Sequence, residues 1–577
     1  MRRGPLLLAL AAAALAGLWW LLPPGRRVLA DPVDPRIVRG AFHVHTDRSD
    51  GTGTPEEVAR AAAAAGLAFV ITTDHGDGTR QPDPPRVVDG VLLVDAVEIS
   101  TTGGHYIALG LAQTPYPLGG EPRDVIEDVR RLGGFGIAAH PDSPKPELAW
   151  REWQAPFDGL EWLNADSAWR DEPRRTIART LATYLFRPPE SIAALFDRPD
   201  TALARWDALG RRRRVVALAG HDAHARLGAR GEPGENGRVP FTLRAPGYET
   251  AFRTFSLGVI LSRPWDASAE PADAAATLLD ALRAGRVFTA VDALAGPAVI
   301  ELSASSREGQ HLPGDRISGP ARVTATIRPD VPGAELRLLR DGTVAARGAG
   351  PALELEHREG QGAAVYRAEA YLPGAPGTPP IPWLLSNPLY VDMPPERPPL
   401  PLLPPAAWSK PAPQAGWRIE QHPGSEVSLD SAVLSPESTA WTLAWRLAGG
   451  PPAGQYAAMA VPLGPGVLEG ADRLQFRAWA DAPMRASVQL RVPDGDGLRW
   501  RRSIHVGIGP SEYEVPFREM TPVEAPPGTP LDLARVDTIL FVVDTVNTKP
   551  GAAGELRISE LRIAGARDRQ VRAVSSR

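Results

Sequence analysis

Seven of the eleven histidines in this chain, His43, His45, His75, His105, His140, His221 and His224, fall between residues 37 and 295. Most of them close a short apolar run or lie within one, as in Ile37–His45, Phe69–His75 and Gly136–His140. That pattern constrains the fold more than any other feature. Short apolar runs bounded by turn residues read as buried strands. In an α/β sheet the carboxyl ends of strands gather on one side, where sites form. Residues scattered along this sequence are therefore expected to converge in space.

From Ile37 to about Leu294 such runs alternate with amphipathic stretches. Strands are predicted at Ile37–His45, Phe69–Thr73, Val91–Glu98, Gly136–His140, Leu160–Leu163, Val215–Ala219 and Val287–Ala290. Helices are predicted at Thr54–Ala65, Arg123–Leu132 and Ala272–Ala284. In the first of these Thr54 is placed as N-cap, Pro55 at the first helical position and Glu57 three residues past the cap. Strand and helix in repetition argue an α/β domain over 37–295 with a largely parallel sheet. After Gly296 only strands with Gly and Pro turns are legible, so 297–393 reads as a small β-sandwich. The proline-rich stretch 394–414 reads as a stiff linker. Residues 415–565 read as a second, larger β-sandwich, and the charged tail from Arg567 as frayed. At 577 residues the chain is too long for one core.

Composition narrows the chemistry. There is no cysteine, so thiolate ligands, disulfides and a cysteine nucleophile are excluded. A net charge of −5 gives no basic surplus for a nucleic-acid backbone, and no nucleic-acid partner is expected. The short run Arg211–Arg214 reads as a solvated helix end.

The stretch Pro5–Pro23 has no charged residue, follows Arg2 and Arg3, and ends near Trp19 and Trp20. It is just long enough to span a bilayer, and its tryptophans suit the interface. Residues 1–30 therefore read as a membrane anchor. A signal peptide cleaved after Ala30 is the alternative, disfavoured by Arg26 and Arg27. Either reading places the remaining domains outside the cytoplasm, membrane-anchored or secreted.

Carboxylates accompany the histidines: Asp50, Asp74, Glu98 and Asp222. Without thiolates, imidazole nitrogen and carboxylate oxygen are the ligands left for Zn, Mn or Fe. A carboxylate shared by two such ions, about 3.5–4 Å apart, supports activation of a water. Glu98, ending a predicted strand among the histidines, is the candidate bridge.

The order of these residues resembles the PHP (polymerase and histidinol phosphatase) superfamily. His43-Val44-His45-Thr46-Asp47-Arg48-Ser49-Asp50-Gly51 is similar to its HxHTxxSDG motif, and Thr73-Asp74-His75 to its second. Glu98 followed by Gly104-His105, then Ala139-His140-Pro141, then Asp222-Ala223-His224, are similar to the rest. The resemblance implies a distorted (β/α)7 barrel, here followed by two all-β sandwich domains. It also implies two or three divalent metal ions. His43, His45, Glu98 and Asp222 would hold one, Glu98, His105 and His140 a second, and Asp50, His75 and His224 a third. Glu98, Asp222 and His140 are the residues expected to carry catalysis. Asp74 is expected to orient a neighbour, and His221 to be a packed strand-end residue or to orient a ligand.

Four residues are candidates for substrate contact: Lys145 in the rigid loop after His140, Asn164 and Asp166 after a strand, and Arg226 beyond His224. Loop capping and solvation are the structural alternatives for each. The run Pro382–Pro388 resembles a PHP subgroup that includes carbamate-ester hydrolases. The last sandwich looks like a galactose-binding or carbohydrate-module jelly roll. Its Trp441, Trp445 and Trp500 either stack on a glycan or fill the core. The expected activity is metal-dependent hydrolysis of a small-molecule phosphoester. A carbamate or carboxyl ester is the alternative substrate, and a non-catalytic surface binding protein is the reading from another class.

Overall fold

A computed structural model describes residues 17, 19–30, 34–226, 245–395, 403–435, 438–451, 454–493, 497–523, 525, 526 and 528–566. Most of the stretch Pro5–Pro23 lies outside these residues, as does the tail from Arg567. Among the described residues no helix is long and apolar enough to cross a membrane. The chain divides into two compact units. One comprises residues 1–77, 81–112 and 129–397, the other residues 78–80, 113–128 and 398–577.

In the first unit, strand Ile37–Val44 pairs in parallel with Phe69–Thr72, and that strand with Val91–Asp95. In a second sheet Phe135–Ala138, Gly159–Asn164 and Val216–Gly220 also run parallel. Two parallel bridges, Val44 to Ala223 and His75 to Glu98, join the two sheets at the ends of their strands. The expectation of a largely parallel sheet needs correction. Val97–Thr101 and Gly104–Leu109 form an antiparallel hairpin, and Gly104–Leu109 is antiparallel to Phe135–Ala138 as well. Only Thr102 and Gly103 connect the hairpin strands, and a parallel crossover needs a dozen residues or more.

Helix Pro55–Ala64 starts as its sequence dictates. The Thr54 side chain accepts from the Glu57 backbone N–H, and the Glu57 carboxylate accepts from the Thr54 N–H. Its buried face is Val58, Ala59 and Ala62, against Val70 and Leu93 of the sheet. Three further helices, Arg174–Tyr184, Pro188–Ala193 and Asp200–Gly210, were not legible in the periodicity. Each begins at a proline, with Pro173 and Pro199 as N-caps and Pro188 at the first helical position. Prolines that punctuate the sequence here start helices, since a first-turn residue needs no N–H partner. In the run Arg211–Arg214, Arg213 packs its guanidinium over the Phe157 ring at 4.5 Å, while the other three are exposed.

The strands after Gly296 share a sheet with the α/β part. Leu384–Ser386 pairs antiparallel with Val287–Ala290. The Asn387 side chain accepts from the Ala217 N–H and donates to the Ala217 and Val287 carbonyls, so it ends two strands at once. A buried ion cluster ties the same regions: Arg367 pairs with Asp207 at 2.9 Å and with Glu369.

The second unit is a sandwich of two six-stranded sheets. Its strands include Ser438–Arg446, Arg473–Ala480, Met484–Arg491, Arg499–Val506 and Thr538–Asp544. Trp408–Pro411, assigned from sequence to the linker, pairs instead with Ala553–Gly565. Helix Pro122–Arg131 lies for the most part in this unit, where buried Arg485 reaches Asp128 at 2.9 Å and Asp124 at 3.3 Å. Trp445 and Trp500 lie in the core with Phe476 and Phe541. Trp441 packs against that core and stacks on Trp417 at 4.9 Å between ring centroids. Of the two readings of these tryptophans the structure gives the core one, because inward positions of a sandwich take the largest apolar rings.

Candidate metal centre

The strand ends deliver nine ligand-competent side chains to one place. His43 lies in strand Ile37–Val44 at a break in its pairing register, with φ of 62°. Such a bulge re-aims a side chain at the cost of a left-handed residue. His140 and Asp222, each two residues past a strand, also adopt left-handed conformations, with φ of 30° and 47°. Strain at three non-glycine residues of one cluster marks a place where side-chain position outweighs backbone comfort.

Glu98 is the hub. Its Oε1 lies 2.9 Å from His105 Nδ1 and 2.9 Å from His140 Nε2. Its Oε2 lies 3.3 Å from His43 Nε2, 3.2 Å from His45 Nε2 and 3.3 Å from His75 Nδ1. Asp222 Oδ1 faces His43 Nε2 at 3.4 Å and His45 Nε2 at 3.3 Å. Asp50 Oδ1 faces His224 Nε2 at 3.2 Å and His45 Nδ1 at 3.5 Å. Among the described residues four overlapping groups could each hold a cation: His43, His45 and Asp222; His43, Glu98 and His140; His75, Glu98 and His105; His45, Asp50, His75 and His224. The nine residues named from the motifs are the members of these groups, but they partition differently. His43, His45 and His75 are each shared, because the rings are close neighbours, His45 stacking on His224 at 4.2 Å and lying 4.7 Å from His75.

These residues fit a divalent cation. His45 Nε2 and Asp50 Oδ1 are buried with no hydrogen-bond partner, an arrangement that is costly unless something else satisfies them. The electrostatics agree. Burial opposes a charge on His43, but Glu161, Asp222 and Glu98 outweigh it and raise its pKa well above the ordinary imidazole value. Burial likewise opposes charge on His45, while Asp222 and Glu98 push it up to about 10. Burial would raise Glu98, yet His43, His105 and His140 hold it well below the usual carboxylate range. Clustered buried carboxylates that pull protons onto imidazoles create a potential suited to cations.

Supporting groups hold the loops. Asp74 accepts from the Thr46 N–H and hydroxyl, each at 2.7 Å, and from the Ser49 hydroxyl at 2.6 Å. It thereby shapes the turn that carries Asp50, the orienting role expected of it. A Cβ on Gly51 would come 2.3 Å from the His45 carbonyl oxygen, so that turn admits only glycine. Tyr248 donates to the same carbonyl at 2.8 Å. His221 is a packed residue: it stacks on Phe255 at 4.0 Å, and burial lowers its pKa to about 4.

No protein-family model matches the chain. An uncharacterized protein of Methanocaldococcus jannaschii is 31% identical over 142 residues, which are 22% of this chain and 82% of that protein. The chain belongs to that protein's family. Among solved structures, a two-domain protein from Bacteroides vulgatus containing a predicted PHP-like metal-dependent phosphoesterase is 14% identical, with 60% of this chain and 94% of that one covered and a TM-score of 0.27. A family 11 carbohydrate-binding module from Clostridium thermocellum, in complex with a mixed-linked tetrasaccharide, is 16% identical, covering 27% of this chain and 96% of that one, with a TM-score of 0.23.

Sequence reading missed Glu161. It is buried in strand Gly159–Asn164. Its Oε1 lies 2.6 Å from His43 Nδ1, and its Oε2 accepts from the His140 N–H at 2.6 Å and from Asn164 Nδ2 at 2.9 Å. The available signal was a lone carboxylate inside an otherwise apolar strand. Asn164 is a joint in the same layer: its amide also donates to Asp222 Oδ2 at 3.3 Å, and its Oδ1 caps helix Ala165–Ala168. Asp166, on that helix, pairs with Arg170 just beyond it. Lys145 is exposed in the loop after His140, and Arg226 is half-buried beyond His224.

Proposed function

We propose that this chain is a PHP-type metal-dependent hydrolase acting on a phosphoester, with 37–295 as a distorted (β/α)7 barrel. The observation that carries the reading is the division of the Glu98 carboxylate, one oxygen toward His105 and His140, the other toward His43, His45 and His75. Two oxygens of one carboxylate serving separate histidine sets suit a pair of divalent cations, Zn, Mn or Fe. Bound metals of this kind lower the pKa of water and neutralise charge on a substrate's oxygens. His43, His45, Glu98 and Asp222 would hold one ion and Glu98, His105 and His140 the next, with Asp50, His75 and His224 around a third. Lys145 and Arg226 are the cations proposed to meet the substrate anion. Asn164 is proposed to hold Asp222 rather than touch substrate.

The test offers p-nitrophenyl phosphate, bis(p-nitrophenyl) phosphate and an aryl carbamate to one metal-loaded preparation. Chelator-sensitive turnover of a phosphoester supports the reading. Turnover of the carbamate alone replaces it with the carbamate-ester alternative suggested by the run Pro382–Pro388. No turnover with metal fully loaded replaces it with a binding protein.

Two further parts of the proposal concern location and glycans. The uncharged stretch Pro5–Pro23 is proposed as a membrane tether, with the domains outside the cytoplasm. Glycan contact is proposed for the second unit at a cavity of about 380 Å³ whose polar lining includes Gln113, Asp481, Asn547 and Lys549. Titration with soluble glucan oligosaccharides, with Asp481→Ala as the comparison, tests it; equal response of both proteins rejects the cavity.

A further inference from the structure

Helix Arg174–Tyr184 carries three arginines, Arg174, Arg175 and Arg179, and no carboxylate. Helical spacing puts Ala178, Leu181, Ala182 and Leu185 along one side. That side is open: Leu181 is 56% exposed, Leu185 83% and the adjoining Phe186 58%. Single exposed leucines are ordinary, but a contiguous apolar patch marks an interaction surface. The N-terminal segment meets the same place. Arg179 Nε donates to the Leu21 carbonyl at 2.8 Å, and Arg187 Nη1 to the Pro23 carbonyl at 2.5 Å. The Arg187 guanidinium lies 5.9 Å from the Trp19 ring. Trp19 is 73% exposed and Trp20 84%.

We propose that this face rests on a lipid bilayer with anionic headgroups. The occupant follows from continuity and charge. The patch adjoins the end of the uncharged stretch Pro5–Pro23, which the tether reading places in the membrane. Tryptophans at such an end sit at headgroup level. Arginine stems can lie along the apolar surface while their guanidiniums pair with phosphate. An arginine-rich helix with an open apolar side and no acidic group matches an interfacial segment. A second copy of this chain would set arginines against arginines. The proposal rests on the tether reading, yet it concerns a different part of the molecule.

Because the chain has no cysteine, Leu185→Cys gives a unique attachment point. Val344→Cys, at a position 44% exposed on strand Thr343–Ala349, gives a control. The full-length proteins are labelled with a fluorophore and incorporated into vesicles of phosphatidylcholine and phosphatidylglycerol containing brominated lipid. Flotation reads the tether, and quenching reads the patch. The expected result is quenching at position 185 several-fold stronger than at 344, weakened when Arg174→Gln and Arg175→Gln are added. Flotation with equal quenching at both positions overturns the proposal and leaves the tether standing. Energy transfer between labels at 185 without lipid quenching overturns it in favour of an interface between two copies. Failure to float overturns both.

Discussion

Glu161 and His43, 118 positions apart in the chain, share a 2.6 Å hydrogen bond between fully buried side chains. With a carboxylate on its Nδ1 side, His43 donates from Nδ1, which leaves Nε2, on the side facing Glu98 and Asp222, as the nitrogen that would bind a cation. A carboxylate behind a histidine ligand fixes its tautomer and raises its basicity. The Glu161 carboxylate faces three donors: His43 Nδ1, the His140 N–H and the Asn164 amide.

Glu161→Gln therefore sets an amide N–H against a donor, whichever way the amide turns. Metal affinity is expected to fall about 10–100-fold, in line with other losses behind a ligand. Competition against a chelating dye measures it. Unchanged affinity would show that Glu161 only packs.

Gly220 is the space in which Glu161 sits. A Cβ at Gly220 would lie 1.7 Å from Glu161 Oε1. Gly220→Ala is expected to destabilise by about 1–3 kcal/mol, the usual range for overpacking. The cost should shrink in a Glu161→Ala background, because the carboxylate that clashes is gone. Urea unfolding of the two single variants and the double variant reads the coupling, and additive losses would refute it.

Glu98 serves five histidines, whereas His105 meets it through one oxygen. Glu98→Ala should lose more bound metal than His105→Ala, since a shared ligand affects more than one position. Elemental analysis after gel filtration decides, and full occupancy in the Glu98 variant would sink the assignment.

A pH effect is expected outside the metal centre, at Glu369. Burial would raise its pKa, but Arg367 and Arg198 hold it below the ordinary glutamate value. A depressed carboxylate contributes stability above its unfolded pKa and loses it as pH falls through the folded one. Glu369→Gln removes one of the two carboxylates that pair the buried Arg367 guanidinium, Asp207 remaining, and is expected to cost about 1–3 kcal/mol at neutral pH. The gap from the parent should narrow as pH drops below the ordinary glutamate value. Unfolding curves across that range test this, and a gap independent of pH would contradict it.

Local patterns in the sequence carried the capping box at Thr54 and the strand runs, and short motifs resembling the PHP family named Glu98 and the eight side chains gathered around it. Each depends on residues a few positions apart, where propensity and hydrogen bonding are decided by neighbours in the chain. Glu161, Gly220 and Asn164 acquired their roles only in three dimensions. A carboxylate between Leu160 and Trp162 is unremarkable until strand Val216–Gly220 is laid beside it and a glycine leaves room for its oxygen. Helices Arg174–Tyr184, Pro188–Ala193 and Asp200–Gly210 were hidden because prolines start them, and a proline reads the same at a break and at a first turn. Likewise, Trp445 and Trp500 have the composition of a sugar platform. Only the packing of one sheet on another decided that their faces are core, since a large ring gains most where apolar surface closes over it.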